Sequence, residues 1–134
     1  MAKRVKKPTL DQIKVIHRKI IEASGKRFLA LPKEKEGLIL SALDGIEQGF
    51  GDEEFYPTIC DKAMHLLRSI QAAQAFPDGN KRVALAVTEF FLQMNRSRIH
   101  HVSQQRKANF VLAIANNRLT KEQMVECCRL AIKN

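Results

Sequence analysis

Along most of this chain apolar residues recur every three or four positions, the spacing that lines one face of an α-helix. A first run carries Leu10, Ile13, Ile16 and Ile20, with Val15 or Ile21 beside them. A second has Leu38, Ala42, Leu43 and Ile46 as its inner stripe. A third, from Ile59 to Ala73, sets Ile59, Ala63, Met64, Leu66, Leu67 and Ile70 on a face wide enough for a central helix. Val83, Ala84, Val87, Phe90, Phe91 and Met94 form a fourth. Phe110 and Ile114 mark a fifth, and Met124, Val125, Cys128 and Ala131 a sixth. No run alternates apolar and polar residues over the length of a strand, and nothing repeats internally. The pattern predicts an all-α fold of about six helices.

Polar residues at the run boundaries agree with it. Thr9-Leu10-Asp11-Gln12 and Thr120-Lys121-Glu122-Gln123 read as capping boxes, in which the Thr hydroxyl accepts from the third helical N–H and the Gln side chain reaches back. Thr58 with Asp61, and Ser103, supply N-caps for the third and fifth helices. Ser24-Gly25, Asn95 to Arg98 and Asn116-Asn117 act as stops. Lys26 to Glu36, with Pro32 and several charges, is expected as an irregular surface segment, and Gly49 to Glu54 as a loop.

At 134 residues the chain is expected to form one domain, residues 1–134, with a single core. Trp is absent and aromatics are 6%, so Leu, Ile, Val and Ala must fill that core. No apolar run reaches membrane-spanning length and no signal-peptide pattern is present, so a cytoplasmic protein without a membrane partner is expected. The three cysteines, Cys60, Cys127 and Cys128, lack metal-ligand spacing and suit a reducing compartment. A net charge of +9 favours acidic partners. The basic residues are scattered apart from Lys3-Arg4-Lys6-Lys7, in a basic N-terminus (residues 1–8) expected to be flexible. There is no zinc-finger spacing or aromatic-rich RNA signature, so a nucleic-acid partner is possible but not favoured.

The chemistry concentrates between the third and fourth runs, in Gln74-Ala75-Phe76-Pro77-Asp78-Gly79-Asn80-Lys81-Arg82. Pro77-Asp78-Gly79 forms a turn, and Asn80, Lys81 and Arg82 follow at a helix start. A helix start offers unpaired N–H groups and the positive end of its dipole to an anion. Lys81 and Arg82 add full charges there, and a guanidinium grips phosphate through paired hydrogen bonds. A carboxylate beside phosphate binders, here Asp78, is a common magnesium ligand.

The stretch resembles the signature loop of the Fic/Doc family, His-x-Phe-x-Asp/Glu-Gly/Ala-Asn-Gly/Lys-Arg. Phe76, Asp78, Gly79, Asn80 and Arg82 match it, Lys81 is the choice of the Doc (death-on-curing) branch, and Gln74 stands where the family has its catalytic His. The resemblance covers most of the chain, from about Thr9 to the last helix, and implies a Fic/Doc-type helical bundle. It further implies ATP and Mg²⁺ as cofactors, with Asp78 as metal ligand, Gly79, Asn80, Lys81 and Arg82 lining the phosphate site, and Phe76 anchoring the loop. The Lys at position 81 goes with delivery of the terminal phosphate, hence protein phosphorylation, where Fic proper transfers AMP. Doc toxins act this way on elongation factor Tu and stop translation. The implied partners are thus that factor or another translation protein, and an acidic, Phd-like antitoxin helix.

Gln74 breaks this chemistry at one point. Its amide nitrogen accepts no proton at neutral pH, and its oxygen is a far weaker base than imidazole. Loss of a general base typically removes about 10²- to 10⁴-fold in rate. His17 reads as a packing side chain, His65 lies too far back along the third helix, and nothing in the sequence brings His100 or His101 to the loop. The expected function is therefore a Doc-type toxin, inactive or impaired as written. The alternatives are a catalytically dead Fic/Doc module acting by occupancy, an AMP-transferring Fic-like enzyme and, less favoured, a basic nucleic-acid-binding domain.

Overall fold

The computed structural model describes residues 4–133. Among them six α-helices form, α1 (Leu10–Ala23), α2 (Glu36–Gly45), α3 (Ile59–Ala73), α4 (Asn80–Met94), α5 (Gln104–Ala115) and α6 (Lys121–Ala131), so the fold is all-α as expected. Two antiparallel ladders of two-residue strands, which the sequence reading did not foresee, join them. β1 (Gly49–Phe50) pairs with β2 (Glu53–Glu54) where a plain loop was expected, and β3 (Arg98–Ile99) pairs with β4 (Ile132–Lys133). A single 3-10 turn, Lys33–Lys35, interrupts the segment expected to be irregular.

The helix starts form for local reasons. Thr9 Oγ accepts from Gln12 N–H at 3.1 Å and Gln12 Oε1 accepts from Thr9 N–H at 2.9 Å. Thr58 with Asp61, and Thr120 with Gln123, make the same reciprocal pair, and Ser103 caps α5. Each such cap is worth about 1 kcal/mol.

Packing is built around α3, which lies against α2, α4, α5 and α6, while α1 packs against α4 and α2. α3 buries Cys60, Ala63, Met64, Leu66, Leu67 and Ile70, and α4 buries Val83, Ala84, Val87, Phe91 and Leu92. Removing a Leu or Phe of this kind from water stabilises the fold by about 1.5–3 kcal/mol. The second stripe holds at Ala42, Leu43 and Ile46, which are buried as expected, but not at Leu38. In α2 it is Ile39, 0% exposed, that enters the core, whereas Leu38 is 47% exposed. Phe90 and Met94 are only partly buried, leaving the innermost places to Phe91 and Leu92. At the close of α2 a side chain on Gly45 would meet His65 Nε2 at 2.9 Å, which explains how closely α2 and α3 approach.

The basic N-terminus is tied down from Lys6 onward. Its backbone N–H and C=O both bond to the Asn95 amide, at 2.9 Å each, and the Lys7 ammonium meets Glu47 at 2.6 Å. Lys3 of the basic cluster lies outside the described residues.

Candidate functional site

The loop 74–79 joins the two central helices. Phe76 enters the core at 3% exposure and packs its ring 4.5 Å from that of His17 on α1. His17 in turn meets Phe28 at 5.2 Å, over which the Arg18 guanidinium sits at 4.1 Å. The segment after α1 is thereby folded onto the loop. His17 is buried, as its reading as a packing residue requires, but the sequence did not show that it packs beneath the loop. Its pKa is lowered, chiefly by burial, against the opposing pull of a hydrogen bond to the Asp78 backbone. Its Nε2 is buried without a hydrogen-bond partner, a surrounding that suits the neutral ring.

Asn80, the first residue of α4, locks the loop. Its Oδ1 accepts from Phe76 N–H at 3.0 Å and its Nδ2 donates to Phe76 C=O at 2.9 Å. This amide, expected to line the phosphate site, is engaged in holding the loop. Gly79 precedes it at φ +81, a left-handed backbone that L side chains rarely adopt, and a Cβ there would come within 3.1 Å of Ile21 Cδ1. Both the backbone and the close approach of Ile21 favour glycine at this position.

Unlike α1, α3, α5 and α6, α4 starts without a side-chain cap. Its first helical bond runs from Val83 N–H to Gly79 C=O at 2.8 Å, so the N–H groups ahead of Val83 have no carbonyl within the helix. The side chains of Lys81 and Arg82 are exposed and form no hydrogen bond or ion pair with another described residue. Asp78, two residues before α4, pairs with Lys26. Its Oδ1 accepts from Gly79 N–H at 2.8 Å, and its Oδ2 meets the Lys26 ammonium at 3.1 Å. The Lys26 contact first, then the Gly79 N–H, hold its pKa below the usual carboxylate value, with Arg82 adding to the effect. Lys26 was missed by sequence reasoning, because its partner lies 52 residues away.

Gln74 ends α3 in a left-handed conformation, φ 48 and ψ 41. Its Nε2 donates to Gln71 C=O at 2.6 Å, and its Oε1 accepts from Asn80 Nδ2 at 3.5 Å. An amide so placed can orient a hydroxyl but cannot take its proton.

The remaining candidates lie elsewhere. His65 stacks on Tyr56 at 4.0 Å, and the Lys121 ammonium lies 4.8 Å from the Tyr56 ring centroid. Cys60 and Cys128 are buried and Cys127 is exposed, all three as free thiols; the Cys128 thiol is pushed up by its hydrogen bond with Cys60 and by burial. No group of three or more His, Cys, Asp or Glu among the described residues could hold a metal, and no helix is long and apolar enough to cross a membrane. An open groove of about 640 Å³, between Val15 and Ile16 of α1 and Ala86 and Phe90 of α4, includes none of the loop residues.

A helical scaffold that holds this loop between its two central helices belongs to the transferase type built for AMPylation and phosphotransfer. The Fic/DOC family model matches residues 7–92, more than half of the chain and the whole of the loop, and the chain belongs to that family. No curated protein matches it at significant similarity.

Proposed function

We propose that the loop between α3 and α4 binds the phosphates of ATP, in a Doc-type phosphotransferase that lacks its proton acceptor. The observation that carries this reading is the pair Lys81 and Arg82, exposed and unpaired among the described residues at an uncapped helix start, with Asp78 beside them. Charges left unmatched by the protein suit a polyanionic ligand. In the transfer, a target hydroxyl oxygen bonds to the terminal phosphorus, the bond to the bridging oxygen breaks and ADP leaves. The hydroxyl proton then needs an acceptor, and Gln74 is not one.

Asp78 is the carboxylate that would hold the family's magnesium, in exchange for the Lys26 ammonium now at its Oδ2. When bound, magnesium would offset phosphate charge. Gly79 and Asn80 shape the loop, Phe76 anchors it, and Lys81 and Arg82 bind and orient the ligand. The target is a translation protein such as elongation factor Tu, and an acidic antitoxin helix complements the +9 charge.

A second reading, occupancy without transfer, is favoured by Gln74 itself, whose amide is bonded into the loop at Gln71 and Asn80. Calorimetry with ATP tests what both readings share. The protein should bind, and Arg82→Ala should weaken binding by about 1.5–3 kcal/mol, the worth of a charged contact. Equal binding by the two forms would place the ligand elsewhere.

A further inference from the structure

The geometry points to Lys26 as a built-in cation of the phosphate site, one that lets this chain bind a nucleoside triphosphate without a divalent metal. This rests on the proposed nucleotide reading and concerns how the site meets the ligand's charge. A metal held by Asp78 would supply positive charge next to the phosphates; in this chain a side chain already stands at that carboxylate, with Lys26 Nζ 3.1 Å from Asp78 Oδ2. The other oxygen, Oδ1, is held by Gly79 N–H at 2.8 Å, which turns the carboxylate toward the start of α4.

An isolated surface lysine would be a weak foundation, because exposed ion pairs contribute little. Lys26 is placed by more than that pair. α1 ends with Ser24 Oγ donating to Ile21 C=O at 2.6 Å, and Gly25 turns the chain at φ +75. Two residues beyond Lys26, Phe28 packs against His17, whose ring lies on Phe76 of the loop. The backbone on both sides of Lys26 is therefore fixed relative to the loop. Lys26 pairs with the Asp78 carboxylate, the Arg82 charge acts on it as well, and Lys81 adjoins Arg82 at the start of α4, so cations outnumber that carboxylate here. That surplus suits a ligand carrying several negative charges and no metal.

Calorimetry on the full chain, with ATP in EDTA and ATP in magnesium, decides the matter. The unaltered protein should bind with similar affinity in both. Lys26→Met, which keeps the apolar stem and drops the charge, should bind about tenfold more weakly in EDTA and keep its affinity in magnesium. Lys26→Arg should restore binding in EDTA. Lys26 is largely exposed, so the substitutions leave the core intact, and circular dichroism checks this. Binding that appears only with magnesium, or that Lys26→Met leaves unchanged in EDTA, overturns the role of Lys26 while nucleotide binding stands. No binding under either condition overturns the nucleotide reading, and this inference with it.

Discussion

Asn80 grips both backbone groups of Phe76, accepting from its N–H and donating to its C=O. One amide at the start of α4 thus fixes a ring buried in the core and, through it, the turn on which Asp78 and Gly79 sit. A side chain that bonds a backbone N–H and C=O together mimics one rung of a ladder, and it leaves no rotamer free.

Asn80→Ala removes both bonds and leaves the Phe76 backbone groups without them. The expected loss is about 2 kcal/mol, at roughly 1 kcal/mol per bond. Urea unfolding measures it. ATP affinity should fall as well, although no charge has been removed. Unchanged ATP binding in a destabilised protein would separate the clamp from the site.

Gln74→His should restore transfer by about 10²-fold or more, the usual worth of a placed general base. The left-handed backbone at this position accommodates His, one of the residue types enriched there. Radiolabel should move from the terminal phosphate of ATP to elongation factor Tu. Label moving from the α-phosphate would instead mean AMP transfer and overturn the reading of Lys81.

Gln74→Gly should act in the opposite sense, on stability. A residue other than glycine pays roughly 1 kcal/mol or more for a left-handed backbone. Loss of the bond to Gln71 C=O offsets part of the relief, so a net gain of about 0.5 kcal/mol is expected. A raised urea midpoint with no gain in transfer would show that position 74 carries strain the fold does not need.

Lys62 supplies a stability prediction remote from the site. Its ammonium, 4% exposed, meets Glu54 of β2 at 2.8 Å and donates to the Tyr56 C=O. Glu54→Ala strands that charge and should cost about 2–3 kcal/mol, while Lys62→Met combined with Glu54→Gln should recover most of it. Thermal unfolding of the single and double variants makes the comparison.

Acid should destabilise the fold through His65. Its pKa is lowered from 6.5 by burial first and then by Arg68 and Lys121. Below 6.5 the unfolded chain takes up a proton that the folded chain refuses, so stability falls as pH drops from 6.5 toward the lower folded value. Above 6.5 the ring is neutral in both states and makes no difference. His65→Phe keeps a ring to stack on Tyr56 and should flatten the acid limb of a plot of stability against pH.

Local signals were legible in the sequence, and distant ones were not. The Thr9, Thr58 and Thr120 caps formed as read, because each needs only a partner three residues on. The stripe of α2 was read correctly at Ala42, Leu43 and Ile46 and missed only its first member, because Leu38 and Ile39 are equally apolar and the neighbouring helix decides which of them is inside. The ladder of Ile99 with Ile132 leaves no period-2 trace, being two residues long on each side. At the site, the sequence located the residues of the loop, but Asn80's use as a clamp depends on where Phe76 is pinned. Lys26 and His17 became part of its surroundings only when α1 folded back over it.

The helices that follow the family-matched stretch have a consequence for genetics. α5 and α6 bring Val111, Ile114, Met124 and Cys128 into the same core as Phe76 and Val83, and β3 and β4 fasten the end of α6 beside α4. A selection for loss-of-function alleles would therefore recover two indistinguishable kinds of hit. Some would fall in the nine residues from Gln74 to Arg82. Others would be scattered through codons 111 to 128, whose buried Val111, Ile114, Met124 and Cys128 share the core that holds α3 and α4 around the loop.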